Sequence, residues 1–282
     1  MTPSSILPAS LISSDLGWLD LSRIQTGSIG RGSTKSRTGY RALSNFPGST
    51  VSAADVKVLT ANGVKAIMVD LAKKFEGSTG NKVMFTFGEA GEIKRQILSG
   101  ESFDVSVLPL TVLEDLVKRN KIVARSMVNI ASSSFGMGVR AGEPKPDINS
   151  ADGFKRSLLA AKAIVMTDPA TGGASGIYFA SVLQRLGIAD EIRPKLKLNK
   201  GSYNSEFVAR GEADIAIQAE HEIRCVPRIE FVQFPVEFQR RIIFAVGLGV
   251  NVKEIEASRT FIQFISGPAA ESVIKAKCME PG

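Results

Sequence analysis

An α/β architecture with a mostly parallel sheet is what this chain predicts, and three observations predict it. From Asp55 onward, short apolar strands alternate with amphipathic helices. Glycine-bearing loops fall where strands hand over to helices, the place where open α/β sheets hold their ligands. The 282 residues, 44% of them hydrophobic, supply a core large enough for two lobes or one large domain.

The elements follow in order. Val56 to Thr60 predicts a strand, Val64 to Glu76 a helix with Ile67, Met68, Leu71 and Phe75 on one face, and Lys82 to Phe87 a second strand. Gly77 and Gly80 end the first helix. Glu92 to Ser99 is a helix, Val105 to Leu108 a strand and Thr111 to Asn120 a helix. Ile164 to Thr167 is a strand that leads through Pro169 and a glycine-rich turn into a helix from Ser175 to Leu186. A short helix at Glu206 to Arg210 precedes strands at Asp214 to Gln218, Glu230 to Phe234 and Ile242 to Val250. Helices at Ile255 to Ser266 and Ala269 to Ala276 complete the chain.

Residues 1 to 54 stand apart, with neither helical period nor strand alternation, and are expected to be a disordered or targeting segment. They hold five basic residues against Asp15 and Asp20, a large share of the net charge of +7. That charge permits anionic partners, but a nucleic-acid groove needs stacking aromatics, and these are 7% of the chain with Trp18 the single tryptophan. No nucleic-acid partner is expected. The nearest approach to a membrane span, Ile242 to Val252, is broken by Gly247, Gly249 and Asn251. Cys225 and Cys278 lack metal-ligand spacing and read as two buried or half-buried thiols. His221 is the sole histidine, so neither a multi-histidine metal site nor a second histidine base exists.

The loops after Thr60, Phe87, Leu108, Thr167 and Gln218 carry the candidate site. Asn62 and Gly63 follow the first strand, and Glu89, Ala90 and Gly91 follow the second. Thr171, Ala174 and Ser175 surround the start of the helix after the Thr167 loop, and Gln218 ends a strand. Helix N-termini there offer unpaired N–H donors and a partial positive charge, which suit a carboxylate or oxyanion. Glu89 reads either as a helix cap or as a ligand contact. No GxxxxGK, GxGxxG or Gly-x-Ser-x-Gly motif is present, so no cofactor is indicated and no elbow serine meets His221. His221, flanked by carboxylates, reads as a rim or hinge residue.

Several stretches together resemble the molybdate-binding group of periplasmic solute-binding proteins. They are Val58-Leu59-Thr60-Ala61, Leu71 to Glu76 with Thr79-Gly80, Arg95 to Gly100 with Phe103-Asp104-Val105, Asp168-Pro169-Ala170, Ala209 to Ile215, and Ile274 to Gly282. The resemblance implies a two-lobed, type 2 periplasmic-binding fold, lobe one at 55–133 plus 236–282 and lobe two at 134–235. It also implies a ligand held between the lobes, an ABC-importer membrane permease as partner, a periplasmic location and a monomer. Family members bind molybdate through serine hydroxyls in the first two loops, where this chain has Asn62, Gly63, Glu89, Ala90 and Gly91. A tyrosine found in some relatives is replaced around Gln218 and Ala219. A small organic anion or small polar solute therefore fits this chain better than a molybdate-like oxyanion, which wants donors only. The rival is an intracellular ligand-sensing domain of similar fold. A hydrolase using His221 or Glu89 lacks a nucleophile–base motif, and no enzyme is expected.

Overall fold

The computed structural model describes residues 53–201 and 203–282. The segment expected to be disordered or targeting lies outside the described residues except for its last two positions, and there the Ala54 N–H is held by Asn81 Oδ1 at 3.1 Å. The chain runs β1 (Asp55–Ala61), α1 (Lys65–Thr79), β2 (Lys82–Gly88), α2 (Ala90–Leu98), β3 (Val105–Pro109), α3 (Leu110–Lys118) and β4 (Val128–Arg140). It continues through α4 (Ala151–Ala160), β5 (Ile164–Thr167), α5 (Ala174–Arg185), α6 (Ala189–Ile192), β6 (Leu196–Asn199), α7 (Ser205–Ala209) and β7 (Ile215–Ala219). The last part holds α8 (Glu220–Arg224), β8 (Ile229–Gln233), β9 (Arg241–Leu248), α9 (Ile255–Ser266), α10 (Pro268–Ala276) and β10 (Glu280–Pro281).

The strands form a curled sheet in the order β2-β1-β3-β9-β4-β7-β5-β6, with β8 and β10 also paired to β4. The mostly parallel sheet expected from the sequence is corrected to a mixed one. Parallel pairing is confined to β2-β1-β3 and to β6-β5-β7, where crossover helices return the chain to the same end. Everything that touches β4 or β9 is antiparallel, because these two strands carry the chain from one end of the sheet order to the other and back. The first half of β4 pairs with β9 and its second half with β7 and β8.

Sequence patterning missed β4, the longest strand. Its middle, Ala131-Ser132-Ser133-Ser134-Phe135-Gly136-Met137-Gly138, has few β-formers. Its glycines answer to tertiary packing: a Cβ on Gly136 would meet the Phe231 ring at 2.3 Å and one on Gly138 the Ser205 hydroxyl at 2.7 Å. Helix α4 was also missed, although Ser150 caps it by accepting from the Gly153 N–H at 3.1 Å.

The αβ units fold as their patterns predict. Helix α1 buries Ile67, Met68, Leu71 and Phe75 and ends where Gly80 adopts φ +76°. Phe75 meets Phe261 of α9 edge-on, with ring centroids 5.0 Å apart. One continuous apolar core then extends through Val107, Phe135, Phe154, Phe179, Phe234 and Phe261, from one end of the sheet to the other. Two aspartates tie strand starts to their neighbours in matching ways. Asp104 accepts the Lys57 and Lys253 N–H groups at 2.9 and 2.7 Å, and Asp214 accepts those of Lys162 and Ala163 at 2.5 and 3.2 Å. Both cysteines are free and exposed, which corrects the expectation of buried thiols: Cys225 follows the short α8 and Cys278 sits in a tight turn at φ +56°. No described helix is long and apolar enough to cross a membrane.

Candidate functional site

All five strand-end loops singled out in the sequence converge on one cavity of about 380 Å³. Asn62, Gly63, Glu89, Ala90, Ala174, Ser175 and Gln218 line it. Thr171 and Gly91 lie beside it. Thr171 Oγ1 donates to the Asp168 carbonyl at 2.7 Å, closing its own turn. The Gly91 N–H donates to the Gly172 carbonyl at 3.3 Å, and a Cβ on Gly91 would stand 2.7 Å from the Gly172 Cα. Only paired glycines allow the backbones of α2 and the β5–α5 loop to meet so closely.

One wall comes from β1 and β2. The Asn62 side-chain amide donates to Glu89 Oε1 at 3.2 Å, so the half-buried carboxylate belongs to the cavity wall. Glu89 occupies the N-cap position of α2 but makes no capping hydrogen bond, which corrects the reading of its side chain as a helix cap. Burial raises its pKa above the ordinary carboxylate value, the Asn62 bond opposes that rise, and the charges of Glu222 and Glu92 add to it. Lys65, in the first turn of α1, brings a cation to the same wall.

The opposite wall is wired through Asn204, which is fully buried just ahead of α7. Its N–H donates to Gln218 Oε1 at 2.8 Å, and its side-chain amide donates to the Ile217 carbonyl at 2.8 Å and to Thr167 Oγ1 at 3.3 Å. Asn199 Nδ2 donates to Asn204 Oδ1 at 2.9 Å. Thr167 and Ser175 hydroxyls are 3.3 Å apart, so one chain of hydrogen bonds fixes Gln218, Thr167 and Ser175 against each other.

His221 bridges the two walls. Its Nε2 lies 2.6 Å from the Gly63 carbonyl, and burial depresses its pKa to about 4, so the ring is neutral near pH 7 and Nε2–H is the donor. The residue is 6% exposed, so the rim placement expected from the sequence is corrected to a buried bridge. The His221 backbone N–H donates to Ser133 Oγ at 3.4 Å, so the residue is tied to β4 as well as to Gly63, while its buried Nδ1 has no hydrogen-bond partner among the described residues. Glu222 follows in α8, accepting the Ala219 N–H at 3.3 Å, and burial pushes its pKa up to about 7.

Sequence reasoning missed Lys65, Tyr203, Glu206 and Glu222 as lining residues. Lys65 and Glu222 stand within four residues of Gly63 and Gln218, so following each loop into the first helical turn would have found them. Tyr203 and Glu206 lie between β6 and β7, where the sequence shows the short helix at Glu206 to Arg210 but nothing that places it against the cavity. Three carboxylates and one lysine in the wall make it rich in acceptors. Against these stand the N-termini of α2 and α5, neither capped by a side chain, which bring backbone donors from both sides. Among the described residues no cluster of His, Cys, Asp and Glu is arranged to hold a metal ion.

Comparison with known proteins agrees with this architecture. The family model for bacterial extracellular solute-binding proteins matches residues 56–280. Aconitate isomerase from a Pseudomonas species is 27% identical over 231 residues, covering 79% of this chain and 87% of that protein. The molybdate-binding protein ModA of Azotobacter vinelandii is also 27% identical over 231 residues, covering 79% and 89%. Among solved structures, the A. vinelandii periplasmic molybdate-binding protein superposes with a TM-score of 0.65 at 21% identity, covering 79% of this chain and 98% of that one. The sulfate-binding protein SubI of Mycobacterium tuberculosis gives 0.66 at 17% identity, covering 81% and 87%. The α/β fold is that of periplasmic binding proteins, and the chain belongs to the bacterial extracellular solute-binding protein family.

Proposed function

We propose that this chain is the extracytoplasmic ligand-binding subunit of an ABC importer, exported to the periplasm, that presents a small hydroxylated organic acid to a membrane permease. The ligand sits between two lobes, 55–133 with 236–282 and 134–235. The lobe boundary at 133/134 falls in β4 where its partners change from β9 to β7 and β8, which supports the division. The observation that carries the ligand class is the Glu89 carboxylate in the cavity wall. A carboxylate about 4 Å from a doubly charged oxyanion, at an effective dielectric near 20, costs roughly 8 kcal/mol. The same carboxylate accepts a hydrogen bond from a ligand hydroxyl, while the ligand's own carboxylate lies at the N-termini of α2 and α5.

Titration calorimetry on the full chain with lactate, malate, sulfate and molybdate tests this. Hydroxy acids are expected to bind, and Glu89→Gln is expected to weaken them at least tenfold while strengthening molybdate. Tight molybdate binding by the unaltered chain, with no binding of either hydroxy acid, would overturn the reading.

The likeness to aconitate isomerase favours a second reading. Glu89 and Glu222 are two carboxyl groups on the cavity wall whose pKa values burial raises, Glu222 to about 7, so that they could give and take a proton. We place it second because both carboxyl groups already accept hydrogen bonds from the wall, Glu89 from the Asn62 amide and Glu222 from the Ala219 N–H. Chromatography of aconitate incubated with the protein separates the two: interconversion of its isomers establishes an enzyme, and its absence supports a binder.

A further inference from the structure

We propose that the ligand extends beyond the polar cavity into a second, more apolar one, so that this protein selects organic acids with an apolar chain. The inference rests on the organic-acid reading above and adds the shape of the ligand to it. A second cavity of about 370 Å³ shares Ala90, Pro109, Phe135, Ala174 and Ile242 with the first as common walls. Two of these shared residues, Ala90 at the start of α2 and Ala174 at the start of α5, face the partition with nothing larger than a methyl group.

The second cavity has a different chemistry from the first. Ala174, Ile177, Tyr178 and Ser181 of α5 line it at i, i+3, i+4, i+7 spacing, one face of a single helix. Val112 of α3 and Ile243 of β9 line it too. Ile177 is 51% exposed and Ile243 36%, uncovered apolar surface beside a polar site. Tyr178 cannot turn its hydroxyl into this space, because that hydroxyl is engaged by the Phe238 carbonyl at 2.8 Å, and its ring stacks on Phe135 at 5.5 Å. Arg240, its guanidinium 5.3 Å from the Tyr178 ring, is the cationic residue of this wall that has no carboxylate partner among the described residues. The carboxylate and hydroxyl of a 2-hydroxy acid would thus occupy the first cavity and its alkyl chain would pass Phe135 into the second.

The test is a calorimetric series of straight 2-hydroxy acids from lactate to 2-hydroxyoctanoate on the full chain. Affinity is expected to rise about fourfold per added methylene while the chain fills the second cavity. Ile177→Asp places a charge on that wall at an exposed position, so folding tolerates it, as a melting curve would verify. It is expected to flatten the series; because Ile177 is in the first turn of α5, the new charge also weakens every member, lactate included, by a similar factor. A flat series in the unaltered protein, with lactate bound, overturns the extension and leaves the short-acid reading intact. Failure of every acid alongside tight molybdate binding overturns both. A rising series that Ile177→Asp does not alter places the chain elsewhere and overturns the assignment of this cavity.

Discussion

The two walls of the cavity are built in opposite ways. The wall from β5 and β7 is a closed hydrogen-bond chain around the buried Asn204, with Gln218, Thr167 and Ser175 each held by a protein partner. The wall from β1 and β2 has the half-buried pair Asn62 with Glu89 and the His221 bond to the Gly63 carbonyl, and carries the Lys65 cation. One wall is fixed in geometry and carries the Glu206 and Glu222 carboxyl groups; the other is lightly held and sets Glu89 beside Lys65. The first wall therefore contributes fixed shape and acceptors, and the second contributes the lysine cation and the less firmly held polar groups.

The largest effect that can break this comparison is at Asn204. Asn204→Leu removes three side-chain hydrogen bonds, two of them buried, and is expected to cost about 3 kcal/mol or more of stability. Denaturant titration measures it, and a loss under about 1 kcal/mol would mean that the network is ornamental.

The next effect sharpens the electrostatic side. His221, depressed to about 4, favours the folded state as pH rises from 4 to its ordinary 6.5, because the unfolded chain takes up a proton that the folded one refuses. Glu222, raised to about 7, acts the other way: between its ordinary 4.5 and 7 the unfolded chain loses a proton that the folded one keeps, so stability falls as pH rises. The slopes oppose between 4.5 and 6.5, and the unaltered protein should melt at a nearly constant temperature there. Glu222→Gln removes the main opposing slope and leaves only that of Glu89, so stability should drop by up to about 3 kcal/mol as pH falls from 6.5 to 4. Thermal melts across that range read the difference directly.

The smallest expected effect lies at the glycine contact between the walls. Gly91→Ala adds a methyl group 2.7 Å from the Gly172 Cα and should push the two backbones apart. The cost is about 1 kcal/mol of stability with a severalfold loss of ligand affinity, measured by calorimetry. An affinity unchanged by the methyl group would show that the approach of the walls contributes nothing to binding.

How much of this was legible follows from which physics each part obeys. Strands β1, β2, β3, β5 and β7 and helices α1 and α9 show local periodicity, because each buries one face against the core. The five loops at strand ends were legible through their glycines and the general placement of ligands in α/β sheets. Strand β4 was not, because serines and glycines chosen for contacts with β7, β8 and α7 erase its alternation. Asn204 was invisible for a related reason. Its partners lie 5 to 37 residues away, and a buried amide that holds three strand ends has no sequence pattern of its own. The His221 bridge reaches 158 residues back to Gly63, and only the folded chain reveals it.

Strand β4 has a consequence for cooperativity. Its 13 residues belong to the backbone ladder of both halves of the sheet, and one apolar core runs unbroken on either side of it. Neither half can melt while leaving the other with a complete edge, since each would lose a central strand rather than a peripheral one. A ligand that grips only the loops of the cavity therefore stabilises the described unit as a whole, and its binding energy is felt at β2 and β6, the two strands farthest from each other in the sheet.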